Sequence, residues 1–152
     1  MTKKKKPLIV PDTNVYINAI FGKGKFKDDM SILDLEGKGL IQFASSENSQ
    51  NELLKIASRE VHTQNIYQCR DLLLPIYEII NRSKFVAKPL KVEKLSSTKD
   101  DQFFLDLAVH VKADYLITSD TRNNLLNVGE HRGVRIVRPA EFLRQYRKYM
   151  KA

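Results

Sequence analysis

Leu8-Ile9-Val10-Pro11-Asp12-Thr13-Asn14-Val15 decides how the chain is read. Three apolar residues stopped by proline form a short buried strand whose ladder ends at Pro11, because proline has no N–H to donate. Asp12 then stands just past a strand tip. From residue 15 to residue 21 the apolar spacing turns helical, until Gly22 and Gly24, with Lys23, Lys25 and Lys27, break it into a basic loop. Residues 30–36 read as a second short helix closed by Gly37 and Gly39, and residues 40–44 as a second strand.

The alternation persists along the chain. Ser45 or Ser46 can cap a long helix over about residues 47–59. A further helix is expected over about residues 63–82, with Leu72, Leu73, Ile76, Ile79 and Ile80 on its apolar side; Pro75 inside it predicts a kink or a break. Residues 85–87 suit a short strand, followed by a polar connection through Ser96, Ser97 and Thr98. A helix over about residues 100–112 carries Phe103, Phe104, Leu107, Ala108 and Val111 on one broad face. It leads into a strand at residues 114–118 that ends at Ser119 and Asp120. Residues 134–137 form one more strand, and Pro139 opens a final basic amphipathic helix to about residue 149. Strands alternating with helices predict an α/β fold: a three-layer sandwich with a central parallel sheet of four to five strands flanked by helices. With no repeat or linker in view, residues 8–150 are expected to form a single domain behind a basic tail, residues 1–7.

A length of 152 residues suits one core that needs no disulfides. No run of about 18 apolar residues is present to span a bilayer, and residues 8–10 are too short for a signal-peptide core, so the expectation is a cytoplasmic protein without membrane contact. The lone cysteine, Cys69, excludes an internal disulfide and a thiolate zinc cage and reads as a packed helix residue. His62, His110 and His131 lack the close pairing of zinc ligands. Lysine and arginine number 26 against 18 acids, a formal charge of +8 that favours an anionic partner such as nucleic acid. Part of that excess, Lys3 to Lys6, reads as a solvated tail; the rest includes Lys23, Lys25 and Lys27 and the last helix's Arg144, Arg147, Lys148 and Lys151. Gly22-Lys23-Gly24-Lys25 is no phosphate loop, since Phe26 stands where a Ser or Thr is needed.

Acids directly after parallel strands face the edge where open α/β sheets bind ligands, and Asp12 and Asp120 meet that condition. Each also has a plain structural use as a helix N-cap. Asp100 and Asp101 open the helix before the Asp120 strand, where one can serve the helix dipole while the other points across the sheet edge. Glu52 is not singled out by position alone. If these acids converged, two carboxylates about 4 Å apart would repel by about 4 kcal/mol at an effective dielectric near 20, so a bare cluster would hold protons or splay apart. A divalent cation removes that penalty, and oxygen ligands without histidine or cysteine select hard ions, Mg2+ or Mn2+.

Four stretches, in order, resemble the PIN-domain family of metal-dependent nucleases. Ile9-Val10-Pro11-Asp12-Thr13-Asn14-Val15 is similar to the family's opening strand followed by Asp-Thr-Asn. Ser46-Glu47-Asn48-Ser49-Gln50-Asn51-Glu52-Leu53 resembles its capped helix with an acid six residues after the serine, which raises Glu52 above the other glutamates. Asp100-Asp101-Gln102-Phe103-Phe104-Leu105-Asp106-Leu107-Ala108 resembles the acid followed seven residues later by alanine, which makes Asp101 the metal ligand and Asp100 its neighbour. Ala113-Asp114-Tyr115-Leu116-Ile117-Thr118-Ser119-Asp120 is similar to the strand ending in Thr-x-Asp. Pro139-Ala140-Glu141-Phe142-Leu143 resembles the close of a subgroup of toxins of bacterial toxin-antitoxin pairs. Pro11, Lys99 and Ser119 depart from the family's usual residues without removing a carboxylate.

The resemblance implies an endoribonuclease in which Asp12, Glu52, Asp101 and Asp120 bind one or two Mg2+ or Mn2+ ions. A metal-activated water then cuts single-stranded RNA, leaving a 3'-hydroxyl and a 5'-phosphate. Thr13, Asn14, Asp100, Thr118 and Ser119 are expected to orient the carboxylates or the metal's waters. Lys23, Lys25 and Lys27 are candidates for the RNA backbone. A toxin role implies an antitoxin protein over the site, and a homo-oligomer is a further partner to consider. Two rival classes are a non-catalytic PIN-like module that binds RNA or protein, and an α/β phosphotransfer domain. The latter wants a second aspartate where Asn14 stands, or an acceptor aspartate at a middle strand that the chain lacks.

Overall fold

Side chains at neighbouring positions of the strands point to opposite faces of the sheet, and here each face has its own core. The computed structural model describes residues 5–64, 69–96, 99–120, 122 and 124–151. Elements run β1 (Leu8–Pro11), α1 (Thr13–Phe21), α2 (Lys27–Gly37), β2 (Gln42–Ser46), α3 (Glu47–Thr63), α4 (Cys69–Arg82) and β3 (Lys84–Val86) in the first half. The second half runs α5 (Lys99–His110), β4 (Tyr115–Ile117), α6 (Leu125–Val128), β5 (Glu130–His131), β6 (Val134–Val137) and α7 (Pro139–Lys151). Ile9, Phe43 and Ile117 join the core built with α1, α2, α3, α4 and α7, while Val10, Ala44 and Leu116 join the one built with α5 and α6. That alternation makes the three layers: a sheet buried on both faces between helices.

The sheet order is β3-β2-β1-β4-β6-β5. Five of these strands are parallel, as the α/β reading expects, and the two-residue β5 adds an antiparallel sixth at the edge. β1 is central. From it the chain winds one way through β2 and β3, then returns to the other side through β4 and β6, so the order reverses between β1 and β4. That reversal point is where an open α/β sheet has its crevice.

Pro11 shows how the sequence tolerates proline in a central strand. The groups of alternate residues in a parallel strand face alternate neighbours, and the Asp12 N–H reaches the Ile117 carbonyl on the β4 side at 2.9 Å. The missing donor of Pro11 therefore faces β2, where pairing has already stopped at Ile9 and Phe43. The expected end of the ladder at Pro11 holds on that side, while pairing with β4 continues to Ile117.

Several boundaries differ from the expectation. α2 starts at Lys27 rather than residue 30, with Asp28 and Asp29 in its first turn, where acids favour the helix dipole. β2 starts at Gln42 rather than residue 40, because α2's closing turn takes Leu40: its N–H bonds the Leu35 carbonyl and that of Gly39 bonds Glu36, with Gly39 at φ 75°. Ser46, not Ser45, caps α3, in a reciprocal box with Ser49. α3 runs on to Thr63 and α4 starts at Cys69, so the chain passes from one helix to the other before Pro75. The expected kink or break at Pro75 is not a boundary: α4 runs through it, and Ile76 and Ile79 beyond it are buried in the core.

Residues 1–4 of the expected tail, and Ser97 and Thr98, lie outside the described residues, as do the side chains of Cys69, Leu72 and Asp100. The end of that tail is held: Lys5 accepts a hydrogen bond from the Tyr149 hydroxyl through its carbonyl, and Pro7 accepts one from the Gln42 N–H. Among the described residues no helix is long and apolar enough to cross a membrane.

Candidate active site

Asp12 follows β1 and Asp120 lies just past β4, so the two acids flank the reversal point of the sheet. Glu52 comes from α3 and Asp101 from the first turn of α5. The four line one cavity of about 410 Å³, together with Thr13, Asn14, Ile56, Phe104 and Arg122. Four acids distant in sequence therefore share one cleft at the carboxyl edge of the sheet. Ile56 and Phe104 give it apolar wall.

Asp12 is both a cap and a cleft residue. Its Oδ1 accepts the Val15 N–H at 3.3 Å, which starts α1, and its Oδ2 accepts the Thr118 hydroxyl at 2.5 Å. The Thr118 Oγ1 in turn accepts the Asp120 N–H at 3.1 Å, so one hydroxyl ties the ends of β1 and β4 together. Burial pushes the Asp12 carboxyl up to about 7, against the lowering effect of those two hydrogen bonds, and the charges of Asp101 and Asp120 push it the same way. A buried acid repelled by two others is the environment that a cation would relieve.

Two of the remaining acids, Glu52 and Asp120, are hydrogen-bonded to protein partners. Glu52 Oε2 accepts the Thr13 hydroxyl at 2.6 Å. Asp120 Oδ1 accepts both the backbone N–H of Arg122, at 2.9 Å, and its Nε–H, at 3.2 Å. Those contacts hold the Asp120 carboxyl below its usual range, the backbone bond first. Among the described residues, no three His, Cys, Asp or Glu side chains stand close enough to hold a metal ion as they are. The Asp12 pKa is thus raised by burial, while Glu52 and Asp120 are hydrogen-bonded to Thr13 and Arg122. The donor set itself, four carboxylates and no sulfur or imidazole, suits a hard cation.

The structure sorts the other expected residues plainly. Thr13 and Thr118 hold Glu52 and Asp12, as orienting groups would, and Asn14 lines the cleft. Ser119 is exposed and does not line it. Asp100 belongs to α5 by its backbone. Lys23, Lys25 and Lys27 do not line the cleft, since the nine residues of α1 carry the chain roughly 13 Å from Asp12 before that loop begins. Asp120 is not a helix cap: α6 starts only at Leu125, behind Asn124. Arg122 is the cleft residue that the sequence reading missed. Its signal was available, a cation two residues after an acid at a strand end.

No curated protein matches the chain. A family model described as PIN domain matches residues 8–122, from the start of β1 to Arg122, and takes in all four acids. Members of that family are generally nucleases that use divalent metals. Matched over most of its length and folded around an acidic cleft at the β1/β4 edge, this chain belongs to the PIN-domain family.

Proposed function

We propose that this protein is a Mg2+- or Mn2+-dependent endoribonuclease that hydrolyses phosphodiester bonds of single-stranded RNA, with one or two ions held by Asp12, Glu52, Asp101 and Asp120. The observation that carries it is the gathering of those four acids from separate elements into one cleft of a chain with net charge +8. When bound, the cation lowers the pKa of a water and neutralises charge on the phosphoryl and leaving oxygens. Asp12, fixed at both oxygens, is the rigid member of the set. Thr13 orients Glu52. The N-terminal turns of α1 and α5 open at the same edge, and their dipoles favour negative charge there. Ile56 and Phe104 limit water on one side of the reacting phosphate. An unpaired strand suits a recessed cleft, because its phosphate can approach without a second strand in the way. Lys23, Lys25 and Lys27 are proposed to meet the RNA backbone beyond the cleft, where each neutralised phosphate adds salt-sensitive affinity. The products expected from the family resemblance are a 3'-hydroxyl and a 5'-phosphate.

The test is cleavage of an unstructured RNA in EDTA, Mg2+ and Mn2+ by the wild type, Asp12→Asn and Asp101→Asn. Metal-dependent cutting by the wild type alone supports the reading. Equal activity in all three proteins refutes this site, and RNA binding without turnover at any Mn2+ concentration favours the non-catalytic module. The proposal extends to a toxin whose antitoxin covers the cleft: expression would then arrest growth, and the arrest would disappear in Asp12→Asn.

A further inference from the structure

The connection of about 12 residues from β3 to α5 has a length at which a segment without helix or strand is usually either functional or disordered. Here it is pinned. The Leu90 N–H bonds His110 Nδ1 at 3.1 Å, that of Val92 bonds Asp106 Oδ1 at 3.1 Å, and those of Leu95 and Ser96 share Gln102 Oε1 at 3.0 Å. Gln102, Asp106 and His110 recur every fourth residue, so one face of α5 receives the strap. From β3 onward Val86, Pro89, Val92 and Leu95 are half-buried and the residues between them exposed, the three-residue period of an extended, polyproline-like chain. Val86, Val92 and Leu95 pack on the core that α5 helps build. That phase turns Lys88, Lys91 and Lys94 outward in one row, about 9 Å from each to the next. The strap's one acid, Glu93, reaches instead to the β5–β6 turn, where it meets His131 and, at 2.9 Å, the Arg132 guanidinium. Among the described residues none of the three lysines is in an ion pair.

We propose that Lys88, Lys91 and Lys94 form a rail that holds the backbone of the RNA strand outside the cleft. The proposal rests on the nuclease reading above and names a binding surface for its substrate. A row of like charges at regular spacing fits a partner that repeats its negative charge along a line. With the strap's backbone already ordered on α5, binding has only the lysine side chains to order. The rail ends near the cleft: Leu95 and Ser96 are tied to Gln102, the neighbour of Asp101. Gln102, Asp106 and His110 lie on a different side of α5 from Asp101 and Phe104, which line the cleft, so a strand on the rail passes over the first turn of the helix to reach the acids. Only a strand long enough to make that passage gains from the lysines.

The experiment compares the whole wild-type chain with two triple variants: Lys88→Gln, Lys91→Gln and Lys94→Gln on the rail, and the charge-matched Arg147→Gln, Lys148→Gln and Lys151→Gln on α7. Circular dichroism checks that each is folded, as exposed positions predict. Binding of a fluorescent oligouridine is measured against salt, with Ca2+ as a probe cation. The log-log slope should be shallower by about 2 in the rail variant, three phosphate contacts on a single strand, and stay within about 0.7 of the wild type in the α7 variant. An unchanged slope in the rail variant overturns the proposal, and so does an equal change in both variants, which would make net charge alone the cause. Tighter retention of poly-glutamate than of oligouridine on the same lysines would assign them to an acidic protein and overturn it too. If the wild type binds RNA without cutting it in Mn2+, the nuclease reading fails while the slopes still decide the rail.

Discussion

Replacing Asp12 with asparagine should flatten the pH dependence of stability in the metal-free protein. Burial, with repulsion from Asp101 and Asp120, outweighs the Thr118 and Val15 hydrogen bonds and carries this carboxyl from 3.8 to about 7. That gap corresponds to about 4 kcal/mol between the two protonation states. The sign follows from which state holds the proton more tightly. Below 3.8 both the folded and unfolded chains are protonated, and nothing is lost. Between 3.8 and about 7 the unfolded chain gives up the proton while the folded one keeps it, so stability falls as pH rises; above about 7 the loss levels off. From about pH 5 to about pH 8 the fall should be about 3 kcal/mol. Asp29 is also raised, by burial, and adds to the wild type's fall, while Asp120, Glu93 and Glu141 are shifted the other way, so their contributions change on the acid side of this window. Urea denaturation in EDTA, at the two pH values, measures the total fall, and the difference between wild type and Asp12→Asn isolates this residue. Asparagine keeps an acceptor for the Val15 N–H, so α1 retains its cap. Equal pH dependence in the two proteins would refute the assignment of the buried proton to Asp12.

Two further predictions concern the scaffold. Phe142→Ala removes a fully buried ring that packs edge-on against Tyr115, with centroids 5.0 Å apart, and stacks on Tyr146. It should cost about 3–5 kcal/mol, read as a lower urea midpoint with unchanged m-value; a loss under about 1 kcal/mol would mean that α7 does not close the core in solution. Pro75→Ala should instead raise the melting temperature, because it restores an N–H inside α4 and removes a ring that crowds the preceding turn. A gain of about 1–2 kcal/mol is expected after the unfolded-state entropy of proline is discounted, and a loss would show that α4 is built around the proline.

The parts of the fold that were legible in the sequence are those set by local pattern. The run 8–11, the acid after it, and the strand that ends before Asp120 announce the sheet edge because apolar runs and strand-ending residues act locally. Asp12 and Asp120 were readable from position alone. Glu52 was not, because what makes it special is Thr13, 39 residues away, which α1 and α3 bring beside it. The resemblance supplied what spacing could not. Leu40 was misplaced for a similar reason: its apolar side chain suggests a strand, while the turn that ends α2 claims its N–H. Pro75 marks the limit of propensity, since the buried Ile76 and Ile79 beyond it anchor α4 in the core despite the cost. Arg122 lay in plain view as Asp120-x-Arg122, but a surface arginine acquires meaning only once the cleft beside it has a shape.

The claim on which the functional account stands is that the four acids share a cation. Crystals grown or soaked with Mn2+ would decide it by anomalous scattering. The account predicts a peak in the cleft between Asp12, Glu52, Asp101 and Asp120, with Glu52 drawn in from Thr13 and Asp120 released from Arg122. Saturating Mn2+ with no peak there, or peaks confined to other surfaces, would contradict it.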